Sequence, residues 1–557
     1  MTLDPQSVLA EARVAATSRR VVSVVGFTLL FAFAAALRVA FLGNQQLFRD
    51  EATSWYLANH SLGDMLRLGA HETFPPLYLV LLKGWMALFG DSETAIRSLS
   101  VVAGLATLGV TWRWARDAVG AVEAWIAGAV VAVSPLLVAN SRDARMYSLE
   151  GLFVTGAWWV LWLLVVDGDD WTRRRRTVVA IALGLLVGGE VWTLSLGIPN
   201  AGLQLAFALV ALAWLRRWAS VLAAGCVVIG VVSLAPWLPN LIATATNGQP
   251  FWTPRPDVGA LATTFRTWFV GQPGDAWALV LLYVGVALFG LVWMLHGVPE
   301  ERPTDSDGLR PARSSPRARL LALALVLDFG LVPAVWAYSQ LHSIYDPRYL
   351  GAAVPPFAIA VGASAVSLGR LLRNRFRAAR FTPNGLLASL FVLPLICATA
   401  FASGQSVLAS SHDAGSDPGR QVAQELATLV QPGDVVVAVN AQSYFPLAYY
   451  LETTGEAQRL GIQLYDWHAP TASLFTGWAD IDSSARIEPT TVDRVGWRSA
   501  VHLGPGRSIW VVSLVDSDHE RICFSPLETG QLREVDRIIV HGYDVVAQIR
   551  KAVPSGP

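Results

Sequence analysis

The chain has 557 residues, 53 % of them hydrophobic and only 15 % charged, against about a quarter charged in an ordinary soluble domain; mean hydropathy is +0.44. Lys plus Arg and Asp plus Glu each number 42, so the formal net charge is zero and the total says nothing about acidic partners; no nucleic-acid partner is expected. This composition excludes a single soluble globular domain and points to a polytopic α-helical membrane protein embedded in the lipid bilayer.

Residues 1–20 carry Arg13, Arg19 and Arg20 and read as a cytoplasmic N-terminus. Apolar windows of about twenty residues, the length that spans a bilayer, follow near 21–42, 97–115, 121–139, 148–166, 178–197, 200–215, 219–238, 276–296, 320–341, 350–369 and 384–403. These predict about eleven transmembrane helices. No small-residue cleavage site follows the first window, which therefore reads as an anchor. The shorter run 77–89 follows Pro75-Pro76 and reads as a helix lying on or dipping into the interface. Arginine placement sets the orientation. Arg113 and Arg116, Arg173 to Arg176, Arg216 and Arg217, the group Arg302 to Arg319 and the group Arg370 to Arg380 all fall on one side, expected to be cytoplasmic. The segments 43–96, 140–147, 239–275 and 342–349, and everything after 404, then lie outside.

The last part of the chain changes character. A polar bridge at 402–419 leads to a helix-like stretch at 418–430, Pro432-Gly433-Asp434, and β-rich runs at 435–440, 509–515 and 538–553. Strands alternating with helices predict a soluble external (periplasmic) α/β domain over 404–557, after a membrane domain over 21–403. Cys226 and Cys397 sit in spans and Cys523 is alone outside, which excludes a disulfide within that domain and any Cys-based metal site.

Three segments concentrate chemistry on the external side. The first is Arg49-Asp50-Glu51, continuing to His71 and Phe74-Pro75-Pro76-Leu77-Tyr78. Adjacent carboxylates at a helix exit are costly near lipid unless something uses them, and a carboxylate there can deprotonate an incoming hydroxyl. Contact with headgroups or with Arg49 is the plain alternative. The second is Ser141-Arg142-Asp143-Ala144-Arg145-Met146-Tyr147, where two arginines three apart can grip a phosphate or merely mark an interface. The third is Tyr345-Asp346-Pro347-Arg348-Tyr349, able to join them or simply to anchor a helix. Arg38, Glu190 and Asp328 are ionisable residues inside spans; Arg38, a few turns below the carboxylates, ranks highest as a further cation for the site. The 22 tryptophans fall mostly at span ends, where aromatic belts are expected; Trp252 is the best exception.

In this order, a span, an Asp-Glu loop, a His with Pro-Pro-Leu-Tyr, a Phe-Gly-Asp-Ser-Glu segment, Ala-Arg-Met-Tyr and a late Arg-Tyr-Leu, the chain resembles membrane glycosyltransferases of the GT-C fold. It is most similar to the bacterial branch related to protein O-mannosyltransferases and lipid A aminoarabinose transferases. The resemblance covers about residues 20–400. It departs where Glu72-Thr73-Phe74 separate His71 from Pro-Pro, and where Asp143 replaces a common Glu.

The resemblance implies a polyprenyl-phosphate-linked sugar donor and transfer outside the cytoplasmic membrane to a glycan, lipid or protein acceptor, as a rule with inversion. Asp50 matches the catalytic carboxylate, with Glu51 and His71 as catalytic neighbours. Arg145, Arg348, Arg142 and Arg38 are the candidate donor-phosphate ligands, and Tyr56, Tyr147, Tyr345 and Tyr349 the candidate substrate contacts. Mannose and arabinose both remain open as the sugar, and a divalent cation (Mg or Mn) at Asp50, Glu51 and His71 is left open. The competing readings are a lipid or solute transporter, which intramembrane charges suit equally, and a non-catalytic member presenting its C-terminal domain to cell-wall partners.

Overall fold

The computed structural model describes residues 24–246, 253–271, 277–296, 316–375, 384–412, 418–439, 441–467, 486–487, 506–514, 532–541 and 546–554. Trp252, Cys523 and the arginines at 13–20, 302–313 and 377–380 lie outside the described residues.

The membrane part opens with α1 (Val24–Val39). A compact group follows: α2 (Arg49–Asn59), α3 (Leu62–Gly69) and the short apolar α4 (Leu77–Phe89). Then come α5 (Glu93–Ala118), α6 (Ala121–Val133), α7 (Pro135–Arg142), α8 (Tyr147–Asp167), α9 (Arg173–Thr193), α10 (Gly197–Leu215), α11 (Trp218–Val232) and α12 (Leu238–Thr246). The remainder is α13 (Val258–Phe269), α14 (Trp277–His296), α15 (Pro316–Phe329), α16 (Leu331–Tyr338), α17 (Val354–Arg375), entered through a 3-10 turn at Pro347–Ala353, and α18 (Asn384–Ala409). Among the described residues nine helical segments are long and apolar enough to cross a membrane, and the bent pair α6–α7 makes a tenth. With α1 in the first window, every one of the eleven predicted spans finds its helix.

The 121–139 window is the one that changes shape: α6 and α7 meet at 55°. Pro135 opens α7, where its missing N–H costs nothing, but its ring forbids continuing α6. Outward-facing spans expose large side chains such as Leu185 (72 %), Leu281 (71 %) and Phe401 (69 %), untenable in water and natural against lipid. Inside, α17 is buried throughout its first turns and packs at small residues. A Cβ on Gly362 would lie 2.5 Å from the Glu123 carbonyl oxygen, so α6 and α17 approach as closely as backbones allow. Behind the first turn of α8, Glu150, Glu190 and Asp328 form a buried group, with Asn200 and Gln204 donating to Glu190 at 3.4 and 3.0 Å. Glu190 and Asp328 therefore belong to this interior group.

The C-terminal domain contains α19 (Gly419–Leu429), α20 (Ala441–Thr453) and α21 (Glu456–Leu460), with β1 (Val435–Ala438), β2 (Gln463–Trp467), β3 (Arg486–Ile487), β4 (Ile509–Ser513), β5 (Leu532–His541) and β6 (Val546–Pro554). One sheet runs β3-β2-β1-β4-β6-β5: the first four strands are parallel, and β6 and β5 add antiparallel. The central strands β1 and β4 are buried at every position, as expected where helices cover a parallel sheet. Burial contributes about 1.5–3 kcal/mol for each such Val or Ile.

Candidate active site

The site forms where α2 begins, α7 ends, α8 begins and the 3-10 turn leads into α17. Asp50 and Glu51 occupy the first turn of α2. In a helix, neighbours in sequence point about 100° apart, and here that separates their circumstances. Glu51 is 1 % exposed and fully engaged. Arg97 donates to it through Nε and Nη2 at 2.7 and 2.6 Å, the Ala144 amide donates at 2.8 Å and the Phe48 amide at 3.3 Å. Arg97 also donates to the carbonyls of Leu42, Gln45 and Gln46. Glu51 thus ties α2, α5 and the 143–146 turn together, a positioning task beside Asp50. Arg97 is a site residue that the sequence reading missed, although its position within an apolar span marked it.

Asp50 is half-buried, and its ion pair with Arg49 is loose at 3.9 Å. Its charged neighbours include Arg145 and Arg348. Arg145, 8 % exposed, donates through Nη1 to the Asp50 carbonyl and to Ser54 Oγ, both at 3.3 Å, and lies 4.9 Å over the Phe74 ring. Its own carbonyl accepts from Ser100 Oγ, which in turn meets the Tyr78 hydroxyl, so α4 and α5 fix its backbone. Among the described residues its Nε has no hydrogen-bond partner, which leaves this guanidinium with donor capacity to spare. Burial alone would lower its pKa, but Tyr147, Asp50 and Glu72 outweigh that and raise it. Arg348 is pre-oriented by Asp346, which accepts from its Nε and Nη2 at 3.3 Å. Tyr147 and Tyr349 pack beside it with ring centroids 5.6 Å apart and planes tilted by 33°.

Asp143, also near this group, has its carboxyl pushed up to about 7 by burial and by Glu51, with Asp50 adding to the rise and Arg97 and Arg348 opposing it. At 71–72 the residue turned inward is Glu72, 4 % exposed, whereas His71, the neighbour singled out from sequence, is exposed.

Four further candidates are placed elsewhere. Arg38 is fully buried and donates to the carbonyls of Ala34, Val131 and Ala132 and to Ser141 Oγ. Arg142 donates to the carbonyls of Leu37, Arg38 and Ala40 and to Ser410 Oγ. Both cap helix ends, and these bonds engage donors that a phosphate would otherwise take. Tyr56 packs on Tyr444 and Phe445 of α20, and Tyr345 is buried with its hydroxyl 2.6 Å from Thr264 Oγ1; neither faces the cluster. Among the described residues no three His, Cys, Asp or Glu side chains converge to hold a metal. The Asp50, Glu51 and His71 donor set therefore does not fit a divalent cation, and no step is assigned to one.

This architecture, a bundle of long apolar helices with a carboxylate–arginine cluster at one end and a docked α/β domain, is the GT-C fold of membrane glycosyltransferases. Residues 73–240 match the model of the dolichyl-phosphate-mannose-protein mannosyltransferase family. The whole chain is similar to ArnT from Cupriavidus metallidurans bound to undecaprenyl phosphate: 16 % identity, TM-score 0.60, 96 % of this chain and 99 % of that one covered. The apo state of the same protein gives 15 %, 0.59, 96 % and 98 %. The oligosaccharyltransferase of Archaeoglobus fulgidus, in complex with Zn and sulfate, gives 12 %, 0.50, 88 % and 67 %. At these identities the likeness is one of fold. No curated protein matches the chain in sequence.

Proposed function

We propose that the protein transfers a sugar from a polyprenyl-phosphate carrier to an acceptor hydroxyl on the external face of a bacterial cytoplasmic membrane, with Asp50 as general base. The GT-C fold, the mannosyltransferase family match and the undecaprenyl phosphate held by ArnT support this class of reaction. One observation carries the residue roles: of the two carboxylates that open α2, Glu51 is locked to Arg97, while among the described residues Asp50 has a loose ion pair with Arg49 and stands near Arg145 and Arg348.

In the proposed step the acceptor oxygen bonds to the anomeric carbon as the bond from that carbon to the phosphate oxygen breaks. The hydroxyl proton passes to the Asp50 carboxylate, and the electron pair of the broken bond leaves on the polyprenyl phosphate. Arg145 and Arg348 face that growing charge, and because neighbouring groups already hold them in place, little reorganisation is needed when it appears. A single displacement inverts the anomeric centre. Tyr147 and Tyr349 offer an aromatic wall for the substrate, and the sugar is a mannose or an arabinose.

The test is purified protein in bilayers, supplied with polyprenyl-phosphate mannose or arabinose and an acceptor fraction, with free polyprenyl phosphate measured. Asp50→Asn is expected to lower acceptor-dependent release by about 10²- to 10⁴-fold without shifting thermal unfolding. Full activity in the folded variant would remove Asp50 from this role. Release by the wild type that ignores the acceptor would count against transfer itself.

A further inference from the structure

The segment that delivers Asp50 is gripped from two sides, and one of them is the C-terminal domain. Within the membrane part, Arg97 holds the carbonyls of Leu42, Gln45 and Gln46. From the other side, the Leu47 amide donates to the Tyr450 hydroxyl at 2.7 Å, and that hydroxyl donates to Glu93 Oε1 at 2.7 Å. Glu93 also takes a hydrogen bond from Arg420 Nη2 at 2.6 Å, and it stands one helical turn before Arg97 on α5. Arg420 in turn donates from its amide to Gln46 Oε1 at 2.8 Å and from Nη1 to the Asn44 carbonyl at 3.2 Å. The face of α2 beyond Asp50 is covered by α20, where Trp55 meets Tyr449 edge-on at 5.1 Å.

Tyr450 is thus both acceptor and donor at one oxygen, and the amide it accepts from, that of Leu47, stands three residues ahead of Asp50. It is 4 % exposed, and burial together with Glu93 raises its pKa, so the phenol keeps the proton it donates. A two-way bond at this point fixes the entry angle of α2 more tightly than apolar packing can, because hydrogen bonds are directional. The C-terminal domain is therefore built into the approach to the reactive carboxylate.

We propose that Tyr450, with Arg420 behind it, is a positioning residue for the transfer reaction, through which the C-terminal domain sets the placement of Asp50. This rests on the reading of Asp50 as the base. A misplacement of about 1 Å at a reacting group costs about a hundredfold in rate.

The experiment compares Tyr450→Phe, Asp50→Asn and the double variant in the release assay on full-length protein. Tyr450→Phe is expected to lower kcat about ten- to a hundredfold with the donor KM unchanged. In the double variant the loss should equal that of Asp50→Asn alone, since a residue that acts only through Asp50 has nothing left to position. Losses that multiply, or a wild-type kcat in Tyr450→Phe, would overturn the proposal. Full activity in Asp50→Asn would sink the base assignment and this inference with it, whereas an impaired Asp50→Asn beside an unimpaired Tyr450→Phe sinks the inference alone. Should Tyr450→Phe fail to fold, Arg420→Ala keeps the Tyr450 hydroxyl while removing the Glu93 and Asn44 contacts, and the same kcat loss and the same non-additivity are required of it.

Discussion

At the scale of single residues, burial and the Glu51 charge push the carboxyl of Asp143 up toward neutral pH, from the ordinary 3.8 to about 7 in the folded protein. Between those two values the folded state holds a proton that the unfolded chain has lost, so stability falls as pH rises from about 4 through about 7 and levels off above. Asp143→Asn carries no such proton. Thermal unfolding of the detergent-solubilised variant is expected to be flatter than wild type from pH 5 to pH 8, with a higher Tm at pH 8. An unchanged slope would show that Asp143 does not titrate in this window. Asp143 also illustrates what could be read in advance. It was visible in the sequence as a one-methylene departure from Glu, but its proximity to Glu51 depends on the Ala144 amide reaching back to that carboxylate, a contact between residues 93 positions apart. Asp50, Arg145 and Arg348 were legible because ordered motifs flagged them. Glu72, Arg97 and Tyr450 were not, since nothing in composition or spacing says which of two adjacent side chains turns inward or which tyrosine of a distant domain returns to the site.

Among the helices, the windows of hydropathy sufficed for each predicted span because transfer to lipid depends on local composition alone. The α6–α7 break was hidden by the same logic: 121–139 stays apolar through Pro135, so the average does not drop where the backbone turns. The break leaves the last carbonyls of α6 without helical partners, and Arg38 supplies donors to Val131 and Ala132. An arginine that caps a helix end and one that grips a phosphate look alike in sequence; they differ in what their donors already hold. This difference predicts opposite phenotypes. Arg38→Gln is expected to destabilise by about 1–3 kcal/mol, since buried carbonyls lose their partners, with kcat and the donor KM of the folded fraction unchanged. Arg145→Gln is expected to lower kcat by about 10²- to 10³-fold at smaller cost in Tm. Parallel thermal unfolding and release assays separate the two, and a catalytic defect in folded Arg38→Gln would return that residue to the site.

Across the whole molecule, the two ends of the bundle differ in charge. At the end away from the site, residues from well-separated connections come together: Arg317 pairs with Asp167 at 2.7 Å and donates to the Asp117 carbonyl, Arg113 pairs with Asp117, and Arg217 donates to the Val166 carbonyl. Arg116 and Arg175 lie over Trp112 and Trp171 there, the aromatic-and-basic rim expected at a membrane surface. Among the described residues, the structure thus gathers at one end Arg113, Arg116, Arg175, Arg217 and Arg317, all from connections that the parity of the spans assigns to one side. Under the orientation we propose from the positive-inside tendency, that end faces the cytoplasm and Asp50 and the sheet domain lie outside, on the side of the outer leaflet and its lipid-linked donor. The orientation can be checked without any activity. In a background with all three cysteines replaced, single cysteines go at Glu425, exposed on α19, and at Arg174, exposed at the start of α9. A membrane-impermeant maleimide added to intact spheroplasts is expected to label Glu425→Cys and to leave Arg174→Cys unmodified until the cells are lysed. The reverse pattern would invert the molecule in the membrane and place the proposed transfer on the cytoplasmic face. Labelling of both before lysis would mean that the two ends do not lie on opposite sides of the bilayer, and the span count would have to change.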